Sequence, residues 1–131
     1  MKDNDRNDMP IIFSYSRAQA IADGVLVDLT EWAKETGFRV PVACTTAVWH
    51  GYIVPANELR PVGQSERGRA HDILWLLYVA IRKSTSRSDQ LRFNVAFLMS
   101  PRNHQTIELK AISGPGDTGE AVLTILMPDE D

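Results

Sequence analysis

Nine consecutive apolar residues, Ile73 to Ile81, occupy the middle of the segment SERGRAHDILWLLYVAIRKS. Nothing else in the chain constrains the fold as much. At 3.6 residues per turn, nine adjacent side chains cannot share one stripe, so they ring the helix. The expectation is a central helix buried on most sides. Asp72 lies toward its N-terminal end and Arg82 and Lys83 lie in its last turn, as the helix dipole favours. The run is far short of the roughly 20 residues that cross a bilayer, so no membrane partner is expected.

Upstream, the punctuation reads as short helices. Ser16 suits an N-cap for RAQAIAD, which Gly24 stops. Val25 to Val27 is a brief extended piece. Asp28 followed by Glu31 gives a capping-box pattern for LTEWAKET, closed by Gly37. Thr45 can cap a further helix in which Val48, Trp49, Tyr52 and Ile53 recur at helical spacing, until Pro55 ends it. Residues 1–9 are polar without periodicity and read as a flexible tail, and Ile11 to Ser14 as a short strand.

Downstream the period changes. LRFNVAFLMS, TIELKAIS and AVLTILMP are β-rich runs separated by turn residues, including PRNH. Helices first and strands last give an α+β expectation. Several N-terminal helices, one of them long and buried, pack on a C-terminal three-stranded antiparallel meander within one domain spanning 10–131. The glycine-rich SGPGDTGEAV does not read as a phosphate loop. It precedes a strand rather than a helix, has no GK[ST] element, and puts Asp117 and Glu120 where a phosphate would sit. It reads as a hairpin loop, with Gly116 and Gly119 available for positive φ.

Chemistry-bearing residues are sparse. His50, His71 and His104 lie outside any metal-ligand spacing, so neither a metal nor a cofactor is expected. His71, four residues before Trp75, shares its helical face and reads as packing. Cys44, the single cysteine, sits in the apolar VPVACTT; it reads as a buried, inert thiol and points to a reducing compartment. Ser84-Thr-Ser86 resembles the short motif of ADP-ribosylating toxins, but no Glu-x-Glu follows it. An enzyme would have to assemble its site from distant groups, with Ser14, Ser16, Arg17, His50 and His71 as the polar candidates.

Charge is uneven. Residues 60–110 hold nine basic and four acidic residues; the remainder holds five basic and thirteen acidic, giving the net −3. Arg82, Lys83, Arg87 and Arg92, extended by Arg102, form a candidate basic patch. Nucleic acid would need such contacts together with exposed aromatics, whereas Trp75, Tyr78, Phe93 and Phe97 read as core and the overall pI is 5.6.

Taken in order, SYSRAQAIADGVLVDLTEWAKETGF, AVWHGYI, DILWLLYVAIR and SGPGDTGEAVLTILMPDED resemble a family of short bacterial proteins known only as a domain of unknown function. The resemblance runs from about Pro10 to Asp131. It implies carriage on plasmids and integrative elements and transfers no catalytic residue. The N-terminus shows no apolar stretch after a basic start, so a cytoplasmic location is expected. The functional expectation is a non-enzymatic factor that binds a host or mobile-element protein complex, such as an inhibitor of anti-CRISPR or anti-restriction type. A nucleic-acid-binding accessory protein and an enzyme stay open as alternatives, as does the oligomeric state.

Overall fold

The computed structural model describes Tyr15–Asp131; the expected tail and the strand at Ile11–Ser14 lie outside the described residues. Helix α1 (Arg17–Ala22) begins where the Ser16 hydroxyl accepts from the Gln19 N–H at 3.0 Å, and Gly24, at φ 77°, turns the chain out of it. Strand β1 (Leu26–Asp28) follows. In helix α2 (Thr30–Thr36) the Asp28 carboxylate accepts from both the N–H and the hydroxyl of Thr30, so it fastens the first turn without the reciprocal Glu31 contact of a capping box. Gly37 closes that helix at φ 124°, with the Tyr78 ring against it.

Strand β2 (Val42–Thr45) leads into a short helical stretch capped, as expected, by Thr45. Its first turn, α3 (Thr46–Val48), widens into a π-helical turn, Trp49–Ile53, closed by the Val54 N–H donating to Trp49 O at 2.9 Å. A single 3₁₀ turn, Asn57–Leu59, precedes the long helix α4 (Glu66–Lys83), whose cap is the Ser65 hydroxyl accepting from the Gly68 N–H. Strands β3 (Gln90–Ser100), β4 (Asn103–Pro115) and β5 (Ala121–Leu126) complete the chain.

The class is α+β, with a correction to the sheet. The three C-terminal strands pair antiparallel in sequence, but β1 and β2 join them in one five-stranded sheet ordered β1-β2-β5-β4-β3. β2 lies parallel to β5, with Val42, Ala43 and Cys44 opposite Leu123, Thr124 and Ile125. The helices are therefore not a block stacked before a meander, because the long helix is a connection inside the sheet. β2 escaped the sequence reading because Val42, Ala43 and Cys44 are all buried. Without alternation a short apolar run carries no period-2 signal. His104, expected in a turn, already pairs with Leu98 in the β3–β4 ladder.

One face of the sheet carries the core. Phe93, Val95 and Phe97 of β3, Leu109 of β4 and Ile125 of β5 pack with Ile73, Leu74 and Leu77 of α4. The expectation that α4 is buried on most sides is corrected here. Ile73, Leu74 and Leu77 are sealed, whereas Trp75 is 49% exposed and Ile81 40%. A sheet can cover only one side of a helix, and α2 shields part of another.

On the opposite face, α1 is clasped to the β4–β5 loop. Asp117 accepts from the Arg17 and Ala18 N–H groups at 2.7 and 3.0 Å, satisfying donors that a helix start leaves free. The Arg17 guanidinium then reaches Thr124 Oγ1 and Leu123 O, each at 2.7 Å. The glycine-rich segment is the hairpin loop expected, with only Gly119 of its pair at positive φ; a side chain on Gly116 would collide with the Glu120 carboxylate.

The one-sided burial of α4 predicts that Leu74→Ala costs about 2–5 kcal/mol in urea unfolding. Trp75→Ala, at an exposed neighbouring position, should cost less than about 1 kcal/mol. Equal losses would refute the asymmetry. The backbone N–H groups on Asp117 hold its carboxyl below the usual 3.8. Its contribution is thus full above that value and is lost as pH falls through the folded-state value. Asp117→Asn should be less stable than the parent at pH 7, and the gap should close below pH 3.8; a gap that persists in acid would exclude the carboxylate as its source.

Candidate interaction surface

Helical geometry lines up the residues of α4 that the sheet leaves over. Trp75 and Tyr78 stack with ring centroids 6.0 Å apart and planes 14° from parallel, and the Arg82 guanidinium lies 5.8 Å from the Tyr78 centroid. The spacing i, i+3, i+7 puts these three on one stripe, exposed at Trp75 and Arg82 and half-buried at Tyr78. Trp, Tyr and Arg are the residue types that most often dominate binding energy at interfaces. Leu76 and Ile81, also exposed, flank them.

The stripe borders a cleft of about 410 Å³ between the C-terminal half of α4, the α2–β2 loop and the near ends of β3, β4 and β5. Tyr78, Ile81 and Arg82 belong to both stripe and cleft. Phe38, Leu91, Ala111 and Leu123 supply apolar lining, while Arg39 and Arg82 bring positive charge against one acid among the described residues, Asp89. The rim loop is held by a chain of local hydrogen bonds. Ser84, Ser86 and Ser88 each accept at the hydroxyl from the N–H two residues on, at 3.1–3.2 Å. The serine motif singled out in the sequence thus shapes the cleft edge.

The expected basic patch is divided by the fold. Arg82 and Lys83 end α4 and Arg87 follows in the serine loop, so these three share one end of the molecule. Arg92 alternates with buried Phe93 and points to the face away from α4, where it pairs with Glu108 at 3.0 Å. Arg102 stands in the β3–β4 turn. That turn is at the other end of α4, since Arg69 near the helix start donates to Leu98 O.

Two further clefts meet at Arg69. The first, about 500 Å³, is lined by Trp32, Glu35, Ser65, Arg67, His71 and Asp72 among others. The second, about 400 Å³, lies along the π-helical turn and includes His50, Asn57 and Met99. Arg69 is only 3% exposed. Its Nε donates to Tyr52 O at 2.6 Å and its Nη1 to Gln64 Oε1 and Leu98 O at 2.9 and 2.8 Å. The ring of Phe97 lies 4.9 Å from the guanidinium. Burial pushes the Arg69 pKa down, with the charge of Asp72 opposing it.

The polar candidates for a distributed enzyme site are not gathered. Ser14 lies outside the described residues, Ser16 caps α1, and Arg17 is committed to the sheet. His50 and His71 line different clefts. His71 is exposed rather than packed, 3.9 Å from Asp72. No group of three or more His, Cys, Asp or Glu able to hold a metal occurs among the described residues, and no described helix is long and apolar enough to cross a membrane.

Residues 3–131 match the family of unknown function DUF6573. The chain belongs to that family. The match takes in the whole of the resemblance noted in the sequence and extends a few residues further toward the N-terminus. No curated protein and no solved structure matches the chain.

Cys44 yields a direct chemical test. It is fully buried in β2, and burial first, then the charge of Glu130, pushes its thiol up to about 12. At pH 8 a chromogenic disulfide reagent should leave the folded protein unmodified on the timescale in which the urea-unfolded chain reacts completely. Equal rates in both states would place the thiol at the surface.

Proposed function

We propose that this DUF6573 protein is a non-enzymatic protein-binding factor whose contact surface is the outward stripe of α4 with the cleft beside it. The observation carrying this reading is the continuity of the two. Trp75 stands in solvent on an 18-residue helix, stacked on the half-buried Tyr78, and Tyr78 and Arg82 of the same stripe also wall an apolar cleft. Burying Trp75 and Tyr78 on a partner would supply large contact area at small entropic cost.

The partner chemistry follows from the rim. An apolar anchor would enter the cleft, with acidic groups beside it to meet Arg39, Arg82 and Lys83. Arg87 extends that positive end; Arg92 and Arg102 would contribute only to a partner that wraps the molecule. The finer reading is an inhibitor of a host defence complex, of anti-CRISPR or anti-restriction type, carried by a mobile element in the bacterial cytoplasm. It rests on the carriage by mobile elements that the sequence resemblance implies.

Affinity capture from host lysate, with and without nuclease, tests the surface. We expect a stoichiometric protein partner that survives nuclease. Trp75→Ala should weaken its retention at least about tenfold, the effect of losing an interface hot spot. A combined Arg82→Glu and Lys83→Glu change should weaken it as well, with circular dichroism unchanged in both variants. Retention indifferent to all three substitutions would overturn the surface. A partner lost with nuclease would turn the reading to single-stranded nucleic acid, because the exposed Trp75 ring can stack a base.

A further inference from the structure

Arg69 is a buried cation that no carboxylate among the described residues meets in a salt bridge, Asp72 acting on it only at longer range. Its partners among the described residues are two backbone carbonyls, one side-chain amide and a thioether. Neutral acceptors answer three of its five N–H groups well. Nη2 is different: its one partner is Met99 Sδ at 3.7 Å, a weak acceptor, so one of its protons has none. Taking a charge out of water is expensive unless an opposite charge or full hydrogen bonding offsets it.

Nη2 lies against Met99, which with Arg69 lines the 400 Å³ cleft. The two clefts flanking Arg69 differ in charge. The larger one carries the carboxylates of Glu35 and Asp72, whereas among the described residues no acid lines the cleft at Met99, where His50 and Asn57 bring polar groups. Its other wall is the π-helical turn Trp49–Ile53. Such turns are uncommon, and they occur disproportionately at functional sites. The cleft is within the size range of small-ligand sites.

We propose that this cleft binds a small oxyanion, a carboxylate or phosphate group of a metabolite, with the Arg69 Nη2 edge at its floor and His50 and Asn57 at its mouth. A guanidinium in a poorly hydrated setting is the residue best matched to either group, because its fork is planar and its charge is permanent. The proposal is independent of the protein-binding surface, which lies at the other end of α4.

The test is a pair of NMR titrations of the ¹⁵N-labelled protein, one with inorganic phosphate and one with acetate, at ionic strength held constant with sodium chloride. We expect the Arg69 Nε–Hε signal and the backbone amides of Gly51, Asn57 and Met99 to follow one saturable curve in at least one series. Saturation with phosphate alone assigns a phosphate ligand, and with acetate alone a carboxylate. Arg69→Lys keeps the charge without the fork and can also loosen the fold. The deciding variants are therefore His50→Ala and Asn57→Ala, at exposed positions of the cleft. At least one should weaken binding about tenfold, the loss expected for a hydrogen bond to a charged group. Shifts that never saturate, that spread over surface arginines and lysines, or that ignore both variants would overturn the site.

Discussion

The sheet can accept only half of what α4 offers. Nine apolar side chains go round a helix, and one face of a five-stranded sheet meets an arc that takes Ile73, Leu74 and Leu77 to complete burial. The remainder has to face α2, the cleft or water. This geometric surplus produces both halves of the molecule's character. The buried arc makes the core with Phe93, Val95, Phe97, Leu109 and Ile125, and the surplus arc becomes the Trp75–Tyr78–Arg82 stripe. An exposed Trp75 stacked on the half-buried Tyr78 means more than scattered exposed leucines, because the pair adjoins a cleft.

The ends of the layers are held by directed polar contacts rather than by apolar area. Arg69 ties α4 to the π-helical turn through Tyr52 O, to the preceding loop through Gln64, and to the end of β3 through Leu98 O. The Tyr52 carbonyl belongs to a helical stretch that stops before Pro55 and so lacks a downstream helical donor. On the far face Arg17 and Asp117 do comparable work between α1 and the β4–β5 loop. Near the C-terminal end the Glu130 carboxylate accepts from Thr45 Oγ1 and Met127 N, and its carbonyl accepts from Lys110 Nζ. Each clasp joins parts of the chain distant in sequence, which is why such contacts cannot be read from spacing.

What was legible in the sequence follows the same division. The caps Ser16 and Thr45, the stops at Gly24 and Gly37, the inert Cys44 and the hairpin loop before β5 are local facts, and the structure places them as read. The long helix was legible as a helix but not as a half-buried one. Its nine-residue run shows no periodicity, so the exposed side had to be inferred from the limited area of one sheet. A local signal for Arg69 did exist: it sits one turn before Ile73 and two before Leu77, on the stripe that is buried. By charge alone it counts as one more basic residue of the 60–110 segment. Arg92 and Arg102 were grouped with Arg82 by nearness in sequence, and a strand followed by a reversal carried them away.

The parallel pairing of β2 with β5 is the feature furthest from the reach of local reasoning. β5 is a central strand, bonded to β2 on one side and β4 on the other, and its partner in β2 lies across most of the chain. Until β5 is in place, β1 and β2 form an isolated antiparallel ladder of three residue pairs, too short to stand alone. The β3–β4 hairpin and α4 can associate through neighbouring sequence, whereas the β1–β2 side cannot complete its hydrogen bonds before a long loop closes. The cleft beside α4 spans that seam: Phe38 and Arg39 come from the approach to β2, Leu123 from β5 and Tyr78 from the helix. The candidate surface therefore forms only with the whole topology, because no contiguous segment contains it.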